Sequence, residues 1–395
     1  ELGAQVSLLY GIPFVGMLLS IAICPLVIPH QWEKWRWAFV LFWSVLFLVP
    51  FAMAFGAPTM LDQLLHSMIG DYLTFIVLLF GLFCVAGNIC LEGDLAGTPK
   101  TNLILLLIGT LLASWIGTTG ASMVMIRPLL RANQWRSRCV HTVVFFIFLV
   151  SNIGGSLTPI GDPPLLMGFM RGVPFQWTLI HMLPVMALNV VLLLILYYIM
   201  DSRAYKKDLA AGRKPLTGGA KIKLTGAHNI LFMLMIVAAV VLSGVLPKLP
   251  MFQDAAGNVL SLHIYGNVSL TYTNIIEIVL ILVAALLSFK TTKKEVRTKN
   301  NFTWGAIEEV AVLFIGIFIT MQPALMLLKT YGASLGISTA FQMFWATGAL
   351  SSFLDNTPTY LVFFTVAAAE GLSGLSTSLG QIPTQTLMAI SCGAV

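Results

Sequence analysis

Ser151-Asn152-Ile153-Gly154-Gly155-Ser156-Leu157-Thr158-Pro159-Ile160-Gly161-Asp162-Pro163-Pro164 interrupts a run that is apolar on both sides, 142–150 before it and 165–170 after it. A helix cannot pass intact through Gly-Gly and three prolines, because each proline removes an amide donor and clashes with the preceding turn. The stretch therefore predicts a discontinuous helix whose unwound carbonyls can coordinate a cation and whose half-helix N-terminus can face an anion. Ser151, Asn152, Ser156 and Thr158 supply neutral oxygens around Gly155, and Asp162 adds a carboxylate. Hard cations take oxygen ligands, so this set suits sodium rather than a transition metal, for which His and Cys are lacking.

The surrounding chain reads as membrane-spanning. Its 395 residues are 58% hydrophobic and 10% charged, far from the roughly 45–50% and 25% of soluble domains. Runs at 8–28, 38–55, 177–200, 230–246 and 275–289 approach or exceed the roughly 17 to 25 residues that cross a hydrocarbon core as helix. Several such runs exclude a signal peptide, and the alternating segments of about 10 residues that build a β-barrel are absent. The formal charge of +6 sits in short connections between apolar runs, where it signals topology rather than a nucleic-acid partner. The five cysteines show no metal-ligand or redox spacing and read as packing residues. The chain opens at Glu1 without a Met and stops inside the apolar run 386–390, so both ends are expected to be incomplete and the last helix cut mid-span.

Basic residues crowd the connection 201–226 and the one after Phe289, which the positive-inside bias places in the cytoplasm. Counting spans backwards puts Arg127, Arg131, Arg136 and Arg138 on the same side and the N-terminus outside. Two further segments carry helix breakers inside apolar runs: 111–128, holding Gly117-Thr118-Thr119-Gly120-Ala121-Ser122, and 347–367, holding Leu354-Asp355-Asn356-Thr357-Pro358-Thr359. Leu112, Ser114, Trp115, Thr119 and Met123 match Leu350, Ser352, Phe353, Thr357 and Leu361 at one constant spacing, which marks an internal repeat. Phe80-Gly81-Leu82-Phe83 likewise resembles Ile315-Gly316-Ile317-Phe318. The topology makes the two halves antiparallel, and inverted repeats with interrupted helices are how many transporters alternate access.

The expected architecture is thus an all-α polytopic membrane protein of two inverted-topology repeats, each with a re-entrant hairpin and a discontinuous transmembrane helix. The first repeat covers 1–200, with its hairpin at 101–132 and broken helix at 141–171. A cytoplasmic basic linker covers 201–226. The second repeat covers 227–395, with its hairpin at 339–370 and a truncated broken helix near residue 389.

Asp162 and Asp355 are the two carboxylates in the broken segments, and a charged carboxylate in the membrane costs roughly 2.5 to 3.5 kcal/mol unless paired, solvated or protonated. Each reads as a functional group or, alternatively, as a helix cap holding orphan amides. Glu308 and Glu309 read as interfacial charges at a helix start, Pro323 as a kink beside Gln322, and His141 as an interfacial residue or a proton-linked group.

The stretch from Ser151 to Pro164 resembles a signature of the ion transporter superfamily, and Asp355-Asn356-Thr357-Pro358 resembles its second-repeat motif. That superfamily includes NhaD-type sodium/proton antiporters, arsenite permeases, the pigmentation P protein, and citrate and dicarboxylate carriers. The resemblance implies two related cation sites, with Thr118, Thr119 and Ser122 joining Asn152 and Thr158 in the first and Asp355, Asn356 and Thr357 in the second. A sodium ion would be held by Asn152, Thr158, Asp355 and Asn356, with no other cofactor. Dicarboxylate carriers have Ser-Asn-Thr at both hairpin tips, whereas the tips here read Thr-Thr-Gly-Ala-Ser and Asp-Asn-Thr, closer to the NhaD-type pattern. The resemblance also implies a homodimer in a cell membrane, expected to be a bacterial inner membrane, with scaffold helices near 8–55 and 230–289. The leading reading is a sodium/proton antiporter. The alternative is a sodium- or proton-coupled carrier of arsenite, another oxyanion or a carboxylate, and a remote third is an intramembrane aspartyl protease, whose carboxylates would have to share a proton.

Overall fold

The computed structural model describes residues 2–215 and 221–395 and is built almost wholly of helix. Among the described residues, nine helical stretches are long and apolar enough to cross a membrane, and the protein is an all-α polytopic membrane protein.

The first is α1 (Ile12–Val27), followed by α2 (Pro29–Phe55) and α3 (Ala57–Leu65). A π-helical segment, His66–Tyr72, joins α3 to α4 (Leu73–Gly87) without a break. Strand β1 (Cys90–Glu92) then leads to α5 (Pro99–Ile116), whose start is set by Pro99 at its first position and by Thr98, whose Oγ1 accepts from Thr101 N at 3.2 Å. Helix α6 (Thr118–Ala132) follows after a single residue, Gly117, at φ +77°. Only glycine takes that conformation without strain, so the chain can turn from one helix into the next there.

Beyond the hairpin come α7 (Val140–Leu149), α8 (Pro163–Met170) and α9 (Phe175–Ala210). The second half runs through β2 (Lys223–Thr225), α10 (Asn229–Val245), the hairpin β3 (Ser261–Tyr265) and β4 (Val268–Thr271), α11 (Tyr272–Thr291), α12 (Lys294–Lys299) and α13 (Gly305–Tyr331). It closes with α14 (Ala340–Ser351), α15 (Asn356–Ala369), β5 (Leu375–Ser376), β6 (Gln381–Ile382) and α16 (Thr384–Ala394). A capping box of Thr339 and Gln342 starts α14. Pro323 lies inside α13, and Gln322 turns its amide to Phe318 O at 3.2 Å.

Helices pack across the two halves of the chain. Helix α4 lies against α10 and α11, while α13 lies against α1 and α2. The matched glycines sit at these crossings: a Cβ on Gly81 would strike Ile281 of α11, and one on Gly316 would lie 2.8 Å from Met17 Cε of α1. Phe75 of α4 stacks on Phe314 of α13, with ring centroids 4.6 Å apart.

The basic connections gather at one end of the bundle. Strand β1 pairs antiparallel with β2, α12 packs on β1, and Arg213 Nη1 donates to Trp135 O at 3.1 Å. The connection expected to begin at Asp201 begins instead at Ala211, because no helix breaker lies between Asp201 and Gly212 and α9 keeps a buried stripe through Val190, Leu194, Tyr197, Asp201 and Asp208. Residues 216–220 of the expected linker lie outside the described residues.

The stripe ends on a buried ionic cluster. Arg136 Nη1 lies 2.6 Å from Asp201 Oδ1 and Arg136 Nε 3.3 Å from Asp208 Oδ2, with all three side chains fully buried. His141 Nε2 meets the same Asp201 oxygen at 2.7 Å, and Asn102 donates to Asp201 Oδ2 at 3.1 Å. His141 is thus a partner of α9 rather than a free interfacial group. This cluster pins the basic end of the first hairpin to α9.

Two predictions follow from these ties. Arg136→Ala removes the fully buried cation between two buried carboxylates, leaving as ion-pair partners only His141 for Asp201 and only the half-exposed Arg138 for Asp208, and is expected to destabilise the protein by about 3–5 kcal/mol. Arg36→Ala removes a partly exposed pair with Glu309 and should cost under about 1 kcal/mol; thermal unfolding of both variants in detergent compares them. At the same end, the Lys299 ammonium hydrogen-bonded to Glu92 holds that carboxyl below its ordinary 4.5, and Glu92 holds Lys299 above its ordinary 10.5. The stabilisation from this pair is present between those values, lost as pH falls through the lowered carboxyl pKa and lost again as pH rises through the raised ammonium pKa. Hydrogen exchange of 88–98 should accelerate at both extremes, and Glu92→Gln should remove the dependence.

Candidate functional site

By hydropathy the run 140–170 is one helix, but its breakers divide it. Helix α7 stops at Leu149, a short 3₁₀ segment occupies Ile153–Leu157, and α8 begins at Pro163. The hairpin of α5 and α6 satisfies the exposed backbone. Ser114 Oγ donates to Gly154 O, Thr158 Oγ1 donates to Ser114 O, and Thr118 N donates to Gly161 O at 3.0 Å. Within the break, Gly155 N donates to Asn152 O and Gly161 N to Thr158 O, both at 3.0 Å. A Cβ on Gly155 would lie 2.7 Å from Thr118 Cγ2 and 2.8 Å from Gly161 O, so this close docking requires glycine there.

A cavity of about 460 Å³ opens where both hairpin tips, the start of α8, α4 and α13 meet. Thr118, Thr119, Asp162, Asp355, Asn356 and Thr357 all line it. No Lys, Arg or His is among its described lining residues, so the cavity carries two carboxylates and no compensating cationic side chain.

The two carboxylates differ in what they hold. Asp355 sits at the N-cap of α15 and accepts from Thr357 N at 2.9 Å, so the helix-cap alternative describes its geometry. Asp162 occupies the corresponding position before α8, is 8% exposed and makes no cap bond. Pro163 and Pro164 have no N–H, and the next amides, of Leu165 and Leu166, go to the Asp162 carbonyl at 3.1 and 3.3 Å. Asp162 Oδ2 consequently meets no hydrogen-bond partner among the described residues.

The remaining expected ligands divide between two sides of the break. Asn152 and Ser156 line a separate cavity of about 550 Å³ beside α9, α14 and α16, where Asn152 Nδ2 donates to Val395 O at 2.6 Å. Ser122 and Ser151 share a hydroxyl contact of 2.8 Å, and Thr158 is fully buried with its hydroxyl committed to Ser114 O. Asn356 Oδ1 accepts from Ser351 Oγ at 2.6 Å, and that hydroxyl also reaches Ala394 O at 3.2 Å. Of the expected sodium set, Asp355 and Asn356 line the first cavity, Asn152 lines the second, and Thr158 lines neither. The break divides the lining: Asn152, Ile153 and Ser156 face one cavity, and residues 160–164 face the other.

Sequence reasoning missed the acids outside the breaks. Asp71 of the π-helical segment pairs with Arg171 at 3.3 Å, and Glu277 of α11 is 3% exposed. Both are acids inside otherwise apolar runs, which was a usable signal in its own right.

Gly155→Val should push the hairpin tip from the break and cost about 1–3 kcal/mol of stability, whereas Gly11→Ala, at φ −77° with open space at its Cβ position, should leave stability unchanged. Thermal unfolding in detergent reads both effects.

Residues 3–395 match the family described as "Putative citrate transport". No curated protein matches the chain. A polytopic bundle whose interrupted segments bring two carboxylates to one cavity accords with that description, and the chain belongs to this family of transporters, not of enzymes.

Proposed function

We propose that the protein is a secondary active transporter that works by alternating access and exchanges sodium for protons at Asp162 and Asp355. The observation that carries this reading is the pair of carboxylates, supplied by two separate interrupted elements, facing one cavity that no cationic side chain lines among the described residues. A site of that charge favours cations, and a carboxylate that binds either a proton or a sodium ion, never both, couples their movements. Asp162, with a buried oxygen left unpartnered, is the exchanging group; Thr118, Thr119, Asn356 and Thr357 supply neutral oxygens beside it.

The inverted repeat supports alternation. Thr119 and Thr357, which match in sequence, both line the cavity, and the matched Gly81 and Gly316 both make close crossings with helices of the opposite half. The basic end marks the cytoplasmic face by the positive-inside bias, which puts the N-terminus outside and opens this cavity inward, between the starts of α13 and the ends of α4.

A second reading is favoured by the family description: a coupled carrier of citrate or a related carboxylate. The N-termini of α6, α8 and α15 reach the cavity and offer partial positive charge. With Asp162 and Asp355 ionised, such an anion would have to arrive with its charge compensated by bound cations.

Reconstituted protein with a pH-sensitive dye inside the liposomes separates the readings. Sodium or lithium pulses should move protons, Asp162→Asn should abolish the response, and Asp355→Asn should weaken it severely. Labelled citrate accumulation with no cation-triggered proton movement would overturn the antiport and establish the carboxylate carrier.

A further inference from the structure

Helix α8 has a cavity at each end. Its N-terminal end carries Asp162 into the cavity described above, while Leu166, Phe169 and Met170 line a different one of about 570 Å³. The two lie at different heights along α4, since Thr74 lines the latter and Leu79, Leu82 and Phe83 line the former. With a rise of about 1.5 Å per residue, α8 is a barrier only about 12 Å thick between opposite sides of the bundle.

Glu277 lines this further cavity from the second turn of the membrane-spanning α11 (Tyr272–Thr291) and is 3% exposed. Among the described residues no Lys, Arg or His forms an ion pair with it. Its polar surroundings are sparse. The Ser243 hydroxyl of α10 lies beside it, Thr74 and Asn274 are neutral, and Lys248 stands at the exposed rim. Asp71, the other acid lining this cavity, is already engaged by Arg171, and Tyr72 donates to Ala311 O of α13 at 2.7 Å. Helix α10 and strand β4, which also pack on α11, bring no titratable side chain.

A carboxylate in this setting has no fixed countercharge and must find one from solution. Unlike the Asp162 cavity, this one offers no second unpaired carboxylate, since Asp71 is held by Arg171, and a single buried carboxyl with sparse neutral oxygens fits a proton. We infer that Glu277 is a second proton-exchange site, reached through this cavity from the membrane face opposite the Asp162 site. The inference rests on the transport reading above. In it, the Asp71–Arg171 pair ties the C-terminal end of α8 to a π-helical segment, a feature frequent at functional positions, and displacement of α8 opens or closes the way to Glu277.

The test uses the full-length protein and dicyclohexylcarbodiimide, an apolar reagent that modifies protonated carboxyls in apolar surroundings. Peptide mass analysis should find Glu277 modified at acidic pH and progressively less so at alkaline pH. In liposomes, Glu277→Gln should still bind sodium or citrate but lose gradient-driven proton movement, and Glu277→Asp should restore it with a shifted pH profile. Absence of modification at every pH in folded protein, or Glu277→Gln moving protons as fast as the parent, overturns the inference. The modification reads Glu277 directly, so failure of the transport reading leaves it interpretable.

Discussion

The hydrocarbon layer offers no water to a backbone group, and the structure is organised around meeting that demand at one place. Residues 150–162 leave the helix at mid-depth, so their amides and carbonyls need partners from elsewhere in the protein. The first hairpin provides them through Ser114, Thr118 and the tight turn at Gly117. Hairpin and break therefore cannot move independently without stranding polar groups in an apolar medium, at several kcal/mol each. Under the proposed alternating access they move as a body, and Asp162 travels with the hairpin tip that faces it.

The wall against which such a body slides is visible in the pairing of halves. Helix α4 leans on α10 and α11, and α13 leans on α1 and α2, so each half's third span is held by the other half's first two. Glycines at Gly81 and Gly316 let these crossings close tightly. Under the proposed inverted repeat, α4 and α13 become the rails between scaffold and moving part. The buried Arg136–Asp201–Asp208 cluster sets a limit on this picture. Breaking it would leave unpaired charge in the interior, so α9 must follow the basic end of the hairpin rather than stay with the scaffold.

The break, both hairpins and the membrane spans were legible in the sequence because each is a local event: glycine and proline inside an apolar run, or an apolar run of sufficient length. The partner of Arg136 was not. Asp201 and Asp208 lie more than sixty residues away and looked like the start of a basic loop, although their spacing continues the buried stripe of Leu194 and Tyr197. The ligand set was legible as a list of oxygens but not as a geometry. Sequence order shows that Asn152 and Asp162 share a break; it cannot show that the break presents them to different cavities. Glu277 escaped because reasoning attended to acids beside helix breakers, while an acid in an unbroken apolar helix carries the same electrostatic penalty.

The difference between Asp162 and Asp355 has a sequence cause and a functional consequence. Asp355 is followed by Asn356 and Thr357, whose amides are present, so its carboxylate is occupied in holding Thr357 N at the start of α15. Asp162 is followed by two prolines that offer no amide, so the same cap position leaves its carboxylate with nothing local to bind. A group already satisfied by its own helix gains less from a passing ion than one that is not. The prolines thus leave a residue placed to cap a helix without a cap partner, the place an ion takes under the proposed exchange, and they do so only in the first of the two interrupted elements.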